Sequence, residues 1–405
     1  MGVFLVMSVA YGARYSFGIF VKPMSLEYGW SRSVISLAAS LNMIVYSICG
    51  IATGRMLDRV APRWFITCGA ILASLGFILT SFARTPLQLC LAYGLLCGAG
   101  NAGMGSVVGI SSVGKWFIRK RGIAIGLSTM GGSFGTIILT STAGFIEKHH
   151  GWQTGFLFLG IAIFVIGVSL SQLLLRRTRP EAYGLLPDGE GHDEGSFSNP
   201  CLDAGHLQKF DMAKLFMDIR FWVMAMCYLL VTVTLMSVFV HQVAYALDNH
   251  IEKVAAAASL GIMAMSCFCG QFFFGWLSDR VDDAKYAAFI GIVTMAVGMV
   301  FLLKATTVQV LYLYAIVYGF GYGSIAPMMP ILVADRFGRH CLGSIYGIVI
   351  FFAGIGGGIG PLLGGVIFDR FGSYTYVWQI NIWILIGCAL LIMTLKPSQY
   401  AKAKA

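Results

Sequence analysis

Stretches of 18 or more apolar, nearly uncharged residues recur along almost the whole of this 405-residue chain. Each is long enough to cross the hydrocarbon core of a bilayer, about 30 Å thick, as a single helix. Charged residues make up only 11% of the chain, whereas soluble proteins carry about a quarter. The period-two alternation of a membrane β-barrel is absent. The sequence therefore predicts an all-α membrane protein with many transmembrane helices.

The apolar spans fall into two groups of six, separated by a polar break. The break contains RRTRPEAYGLLPDGEGHDEGSFSNP, which is rich in Gly, Pro and acidic residues and is predicted to be a linker rather than a span. The predicted domains are a first six-helix bundle, a linker, a second six-helix bundle and a tail, at residues 1–175, 176–219, 220–396 and 397–405. The predicted spans are 2–24, 34–57, 65–83, 88–113, 122–146, 153–175, 221–246, 254–277, 285–303, 308–333, 343–367 and 375–395.

The Lys and Arg residues of the short loops predict the orientation, because cytoplasmic loops of membrane proteins are enriched in them. With both termini in the cytoplasm, about 20 of the 28 Lys and Arg residues lie on the cytoplasmic side. The linker and the tail are then cytoplasmic as well, and the protein is predicted to lie in the cell membrane. This topology accounts for most of the net charge of +10. Because the basic residues are spread over many short loops, the expected partner is the lipid bilayer and not nucleic acid.

The two groups of spans also resemble each other in sequence. The stretch GRMLDRV at residues 54–60, after span 2, returns as GWLSDRV at residues 275–281, after span 8, with an offset of 221 residues. The stretch KWFIRKRGIAIG at residues 115–126 has a weaker counterpart in DRFGRHCLGSIYG at residues 335–347. Matching loops at matching places indicate two pseudo-symmetric halves that arose as a parallel repeat.

Together these features resemble the major facilitator superfamily of transporters. The Gly-x-x-x-Asp-Arg loop, present here after spans 2 and 8, is that superfamily's signature, and the resemblance covers the whole chain. Within the superfamily the chain is similar to the branch of monocarboxylate transporters and oxalate/formate antiporters, especially its bacterial members. The stretches that carry this similarity are YGARYSFGIFVKPMSLEYGWSRSVIS, LDRVAPR, KWFIRKRGIAIG, RRTRPEAYGLLPDG, GFGYGSIAPMMP and LGSIYGIVIFFAGIGGGIGPLLGGVIFDRFGS.

The resemblance implies rocker-switch alternating access, in which the two halves move nearly as rigid bodies around a substrate site at the bilayer midplane. It also implies a single working unit, so a monomer is expected. Asp58 and Arg59 in the first half, and Asp279 and Arg280 in the second, are expected to form a cytoplasmic gate. The alternative for these residues is a role limited to setting the topology and capping helices.

Arg14 stands near the middle of the first span, in AYGARYSFGIF, where a cation costs about 3 kcal/mol or more on insertion scales. All 18 Asp and Glu residues lie in loops or near span ends, so no acidic partner is available at that depth. A buried cation without such a partner is costly. We therefore expect Arg14 to face a water-filled cavity and to bind the carboxylate of the substrate, which agrees with the cation that the resembled family carries at this place. The alternative is an arginine satisfied by backbone carbonyls and water.

Polar and aromatic residues at similar depth are further candidates for the substrate site. They are Tyr11 and Tyr15 in span 1, Asn101 in span 4, Thr129 in span 5, and Tyr318 and Tyr322, one turn apart, in span 10. The resembled family uses the Asn101 region of helix 4 for the substrate. Each of these side chains also has a purely structural interpretation, as packing or as a hydrogen bond between helices.

His241 lies towards the outer end of span 7, in SVFVHQVAYALD. Members of the resembled family often have a histidine at this position. Because an unperturbed imidazole titrates near pH 6.5, His241 is a candidate both for the substrate path and for carrying a coupled proton. A histidine that only sits at the membrane interface is the alternative.

The chain departs from the resembled branch at one position that concerns the substrate. Members of that branch generally carry an arginine in span 8 that binds the substrate carboxylate, whereas the matching position in CFCGQFFFGWLSDR is Gln271. An amide offers hydrogen-bond donors and an acceptor but no charge. Gln271 is expected to hydrogen-bond a monocarboxylate held by Arg14. A neutral, zwitterionic or larger substrate is equally compatible with the amide.

The sequence thus favours a secondary active transporter that moves small organic anions, above all monocarboxylates, by proton symport. Two alternatives remain open: exchange of one anion for another, as in oxalate/formate antiport, and export of a neutral or amphipathic compound. The motifs HExxH and GxSxG and the P-loop are absent from the sequence. No enzyme activity, catalytic residue, cofactor or metal site is therefore predicted.

Overall fold

The computed structural model describes residues 1–57, 60–117, 119–174, 212–338 and 342–396. Every regular element in these ranges is a helix, in agreement with the predicted class. The transmembrane helices are α1 (Gly2–Tyr28), α2 (Arg32–Met56), α3 (Pro62–Ser81), α4 (Pro86–Trp116), α5 (121–150), α6 (152–174), α7 (Ile219–Asp248), α8 (Lys253–Arg280), α9 (Ala284–Leu303), α10 (Val308–Phe337), α11 (Leu342–Phe371) and α12 (Thr375–Met393).

A short helix, Met212–Met217, precedes α7 inside the stretch predicted as a linker. Residues 175–211 of that linker and the predicted tail, 397–405, lie outside the described residues. The described helices follow the predicted spans closely, although α1, α4, α5, α8, α10 and α11 extend three or four residues further at their C-terminal ends.

The chain reverses between α5 and α6 at Gly151, inside a single apolar stretch of 53 residues. Gly151 has φ 85° and ψ 164°, a conformation open to glycine and strained for other residues. Directly after it, the indole of Trp152 donates a 2.6 Å hydrogen bond to Glu27, near the end of α1. One turn later, Phe156 packs on Phe20, so α6 returns along α1. The described ranges contain 11 apolar stretches of spanning length; this reversal divides one of them and confirms the prediction of twelve helices.

Two helices are interrupted at similar depths in the two halves. In α4, Gly105 has extended backbone and separates Gly98–Met104 from Ser106–Trp116. In α10, the break separates Val308–Tyr322 from Ile325–Phe337. Irregular backbone at membrane depth is tolerated only where protein or an aqueous cavity surrounds it, and the residues on both sides of these breaks are mostly buried. Both breaks therefore point to the centre of the molecule.

Glycine pairs hold the two halves together, and they follow the sequence repeat. Gly122 of α5 packs directly against Gly275 of α8, and Gly343 of α11 packs against Gly54 of α2. Residues 54 and 275, and likewise 122 and 343, are separated by the same 221-residue offset as the repeated loops. The absence of side chains lets these backbones touch, which is the usual basis of helix packing in lipid. The pseudo-symmetry of the sequence therefore extends to the packing of the helices.

With twelve crossings, both ends of the described chain lie on one side of the membrane, called the terminal side below. The glycine pairs lie at the terminal ends of α2, α5, α8 and α11. A hydrogen bond between Ser133 of α5 and Gln271 of α8 lies further from that side, about three helical turns beyond Gly122 on α5 and about one turn beyond Gly275 on α8. The two halves are thus closed against each other on the terminal side.

Candidate substrate-binding site

Arg14 lies at mid-membrane depth and is stacked on an aromatic ring. Its guanidinium carbon is 4.2 Å from the ring centroid of Tyr46 on α2. This cation–π contact offsets part of the cost of the charge. The Nη2 atom of Arg14 is buried and has no hydrogen-bond partner among the described residues. The guanidinium is therefore positioned by the protein but retains unused donors.

A chain of hydroxyl groups lies beside the guanidinium. The Tyr46 hydroxyl is 3.2 Å from that of Tyr11 and 3.4 Å from that of Ser106 on α4. The ring of Tyr46 fits against the break in α4 because residue 105 is a glycine. A Cβ on Gly105 would lie 2.8 Å from that ring. Tyr346 on α11 lies near Ser106 and Tyr46, so a tyrosine of the second half borders this chain of hydroxyls.

Tyr15 of the first half and Tyr322 of the second half lie near each other, where the two halves meet. The side chain of Tyr15 is 53% exposed although it lies in the middle of α1. It lies near Arg14, near Cys267 of α8 and near Tyr322 of α10. Because these neighbours belong to both halves, its exposed surface faces a cavity between the halves. Tyr322 in turn packs edge-on against Phe239 of α7, with ring centroids 6.0 Å apart.

Gln271 is nearly buried, with 6% of its surface exposed. Its Oε1 atom accepts a 3.1 Å hydrogen bond from the hydroxyl of Ser133 on α5. Ser133 directly follows Gly132, where a Cβ would lie 3.5 Å from the ring of Tyr11. The amide of Gln271 is therefore close to Tyr11 and is hydrogen-bonded to a residue of the other half.

Three other candidates lie inside their own halves. The hydroxyl of Thr129 donates to the carbonyl of Gly126 in the same helix, at 2.8 Å. Tyr318 is fully buried, with its ring 5.6 Å from that of Tyr314. Asn101 is 2% exposed, and neither polar atom of its amide has a hydrogen-bond partner among the described residues. Thr129 is thus satisfied within its own helix, whereas the amide of Asn101 and the hydroxyl of Tyr318 are buried without a hydrogen-bond partner among the described residues.

His241 links three helices at the side opposite the termini. Its Nε2 atom is 2.9 Å from the carbonyl oxygen of Pro361 in α11, and its Nδ1 atom is 3.3 Å from the hydroxyl of Tyr374, just before α12. A carbonyl only accepts, so Nε2 carries the proton and Nδ1 of the neutral ring accepts from Tyr374. The imidazole occupies space that a side chain at residue 364 would fill, since a Cβ on Gly364 would lie 2.7 Å from Nε2.

The terminal side is closed by charged groups as well as by glycines. The carboxylate of Asp279, at the end of α8, accepts hydrogen bonds from the backbone N–H groups of Gly122 (2.7 Å) and Ile123 (2.8 Å). These groups lie in the first turn of α5, where unpaired N–H groups and the helix dipole favour an anion. Next to them, Arg121 forms a 3.2 Å ion pair with Asp335 of α10. Both contacts join the first half to the second.

The other predicted gate residues are placed differently. Arg280 is exposed and lies over the ring of Trp276, 4.3 Å from its centroid. Asp58 and Arg59 lie outside the described residues.

A family model described as the Major Facilitator Superfamily matches this chain at residues 3–282 and 242–405. The chain belongs to this superfamily. It is therefore a transporter rather than an enzyme, and a multi-pass membrane protein.

Similar proteins in this superfamily include several named for monocarboxylates. Monocarboxylate transporter 12-B of Danio rerio is 27% identical over 394 residues, which cover 92% of this chain and 80% of the relative. Monocarboxylate transporter 12 of Homo sapiens is 26% identical over 397 residues, covering 92% of this chain and 75% of the relative. The MFS-type transporter YcxA of Bacillus subtilis (strain 168) is 23% identical over 400 residues, covering 96% and 92%.

Solved structures of two other superfamily members share the fold. The proton:xylose symporter XylE, bound to 6-bromo-6-deoxy-D-glucose, matches with a TM-score of 0.79 and 14% identity over 98% of this chain and 95% of that chain. FucP in the outward conformation matches with a TM-score of 0.72 and 13% identity over 100% of this chain and 98% of that chain.

Several residues that are not predicted from the sequence also lie at the candidate site. They are Tyr46, Ser106 and Ser133, which form hydrogen bonds there, and Tyr346, which lies near Ser106. Each stands in an ordinary apolar or small-residue span, and only the rotation of its helix turns it towards the centre. A tyrosine or serine within a span is the one available signal, and many residues that serve only in packing share it.

Proposed function

We propose that this protein is a secondary active transporter of small organic anions, chiefly monocarboxylates, that works by alternating access with proton symport. The observation that carries this proposal is the guanidinium of Arg14, which lies at mid-membrane depth with a buried donor that no described residue engages. A substrate carboxylate is the group that best completes such a site, since it can form paired, charge-assisted hydrogen bonds with arginine.

The surroundings of Arg14 support an anion of modest size. No ion pair is found between Arg14 and a carboxylate in the described ranges, so a bound anion would not compete with a protein acid. The hydroxyls of Tyr11 and Tyr15 offer further hydrogen bonds, and the exposed ring of Tyr15 offers an apolar surface. We assign Arg14 to the carboxylate and the tyrosines to the remainder of the substrate.

Alternating access is supported by the closed terminal side. Because Asp279 and Arg121 bind across the two halves there, we propose that the substrate reaches Arg14 from the opposite side. Loading from that side, followed by separation of these contacts, would expose the same site to the terminal side. We further propose that the terminal side is cytoplasmic, that the protein lies in the cell membrane, and that it acts as a monomer.

Gln271 favours a second candidate function. An uncharged amide stands where the resembled branch generally has its carboxylate-binding arginine. A single cation, together with several aromatic side chains, is also compatible with export of a neutral or amphipathic compound. Exchange of two anions is a further possibility within the first proposal, because it needs no proton carrier.

Uptake by proteoliposomes tests these alternatives. Purified protein is reconstituted, and uptake of labelled lactate, pyruvate, formate, oxalate and a neutral amino acid is measured with and without an inward proton gradient. We expect gradient-driven uptake of a monocarboxylate, a loss of at least tenfold in Arg14→Gln, and partial retention in Arg14→Lys. Arg84→Gln, a change at an exposed arginine in a loop, is the matched control.

Each other outcome points to one alternative. Uptake seen only into vesicles preloaded with a second anion indicates exchange. Uptake that is equal in wild type and Arg14→Gln contradicts the assignment of Arg14. If folded protein moves no carboxylate at all, the export of neutral or amphipathic compounds becomes the leading proposal.

A further inference from the structure

The hydrogen bond between Ser133 and Gln271 is a contact between the two halves that involves no charged group. The hydroxyl of Ser133 on α5 donates to Oε1 of Gln271 on α8 at 3.1 Å. Gln271 is 6% exposed, so water competes little for this bond.

This bond lies further into the membrane than the terminal closure, and Ser133 is at about the depth of Arg14. On its terminal side, Gly126 packs against the backbone carbonyl of Gln271, where a Cβ would lie 2.7 Å from the oxygen. Towards the centre of the membrane, the residue next to Ser133 contacts the ring of Tyr11. The backbone of Gln271 also packs against the break in α10, since a Cβ on Gly323 would lie 2.6 Å from the backbone nitrogen of Gln271. Gln271 is therefore held by residues of both halves.

The bond belongs to one conformational state. For the site to open to the terminal side, α5 and α8 must separate, and Ser133 then moves away from Gln271. A buried amide that loses its partner is penalised unless water replaces the bond. The contact consequently favours the state that is closed on the terminal side. Because neither group carries a charge, this effect is independent of the charge of a bound substrate.

We propose that Ser133 and Gln271 form an uncharged latch that stabilises the state closed on the terminal side and sets the resting ratio of the two states. Gln271 then acts on the position of the two halves and not on the substrate directly. The glutamine that stands where the resembled branch has an arginine thus favours the state closed on the terminal side. The inference rests on the alternating access of the proposed function but not on the identity of the substrate.

A distance measurement without substrate tests the latch. Spin labels are attached in nanodisc-embedded full-length protein to Ala61 and Asp282, in loops on the terminal side, and in a second sample to Ser31 and His250, in loops on the opposite side, in a background without other reactive cysteines. Pulsed electron–electron double resonance then gives the fraction of molecules closed on the terminal side. The variants are Ser133→Ala, Gln271→Leu, the double variant and Ser133→Thr, which keeps the hydroxyl.

We expect each single variant to lower the ratio of closed to open molecules by about fivefold, which corresponds to the loss of one neutral hydrogen bond. Since the two residues are partners, the double variant should show about the same fivefold change, and not the roughly 25-fold change of independent sites. Ser133→Thr should restore the wild-type ratio. Ser141→Ala, on the same helix but bonded only to its own backbone, should not alter it.

Two results overturn the latch: unchanged distances in both single variants, or fully additive effects in the double variant. Because no substrate is added, these results are independent of whether the protein carries anions. A latch that is supported while lactate and the other probes fail to move would leave the conformational inference in place and remove only the proposed substrate. Distances that never report a second state in any variant, with or without probe anions, would contradict alternating access itself.

Discussion

The carboxylate of Asp279 binds the first turn of α5 in the other half of the protein. It accepts hydrogen bonds from the backbone N–H groups of Gly122 and Ile123, at 2.7 Å and 2.8 Å. An anion at a helix N-terminus meets both unpaired donors and the positive end of the helix dipole. The bond is therefore charge-assisted and stronger than the neutral Ser133–Gln271 contact. The closed terminal side combines both kinds of contact.

Replacing Asp279 should weaken this closure. In Asp279→Asn the side chain keeps its size but loses its charge, which removes about 1–2 kcal/mol of favourable interaction with the helix terminus. We expect a shift towards molecules open on the terminal side. It is measured as faster labelling, by a thiol reagent added from the terminal side, of a single cysteine introduced between Gln271 and that side. Asp282→Asn, at an exposed acid of the same loop, is the control. Equal labelling of both variants would show that the Asp279 charge is not needed for closure.

The contact between Gly122 and Gly275, next to Asp279, should tolerate no side chain. A Cβ on Gly122 would run into the carbonyl of Gly275 and the hydroxyl of Ser278. Gly122→Ala should therefore hold the halves apart on the terminal side and reduce transport by at least tenfold, with protein yield little changed. Gly387→Ala is a matched control, because nothing lies within 4 Å of a Cβ there. Normal transport by Gly122→Ala would mean that this closed contact is not part of the working cycle.

The sequence predicts the repeat from the 221-residue offset of the Asp-Arg loops, and the same offset relates the glycine pairs that only the structure reveals. It also predicts that Arg14 is unusual, because a cation without an acid at mid-membrane depth can be recognised from position alone. It does not predict Tyr46, which lies against Arg14 only through the rotation of α2. It favours Tyr322 over Tyr318, one turn apart, as the tyrosine that faces the substrate, and in the structure Tyr318 is fully buried whereas Tyr322 is half-buried.

The offset also reveals an asymmetry that bears on the proposed mechanism. The position in the second half that corresponds to Arg14 is Leu235, and that corresponding to Tyr11 is Thr232. Asn101 corresponds to Tyr322. The cation and its stacked ring are thus supplied by the first half alone. If an anion binds Arg14 as proposed, the first half holds its charged end while the second half supplies mainly aromatic and hydroxyl surface.

A buried ion pair in the second half should matter for stability. The guanidinium of Arg336 donates to both carboxylate oxygens of Asp283 at 2.8 Å, and the two side chains are 1% and 5% exposed. Arg336→Leu leaves a buried carboxylate without its partner, which should cost about 3–5 kcal/mol. The double variant Arg336→Leu/Asp283→Asn should recover most of this loss, because asparagine can still accept from the backbone of Lys285. Thermal unfolding in detergent measures both effects.

The pair formed by Asp218 and Arg220 provides the comparison for that experiment. Its side chains are 20% and 32% exposed, so Arg220→Gln should cost less than about 1 kcal/mol. Hydrogen bonds from Arg220 hold the pKa of Asp218 below its usual range. The contribution of this pair is therefore present at neutral pH and is lost as the pH falls through that lowered pKa. A loss of stability in Arg220→Gln as large as in Arg336→Leu would show that burial does not decide the strength of these ion pairs.

His241 should control the response of transport to external pH. Burial, together with the carboxylates of Asp248 and Asp369, raises the pKa of Tyr374, so its phenol stays protonated and donates to Nδ1 of neutral His241. Protonation of the imidazole places a second N–H at Nδ1, and Tyr374 must then become the acceptor. The hydrogen bonds that join α7, α11 and α12 therefore change when His241 takes up a proton.

The test compares His241→Gln with the wild type between pH 5.5 and 7.5, roughly the range in which an ordinary imidazole titrates. Glutamine has an N–H donor for the carbonyl of Pro361 but takes up no proton, so the variant should keep anion exchange and lose stimulation by an inward proton gradient. His150→Gln, at an exposed histidine on the same side of the membrane, should leave the gradient response unchanged. Full gradient stimulation in His241→Gln would place the coupled proton elsewhere, and the substrate bound to Arg14 would then be its most direct carrier.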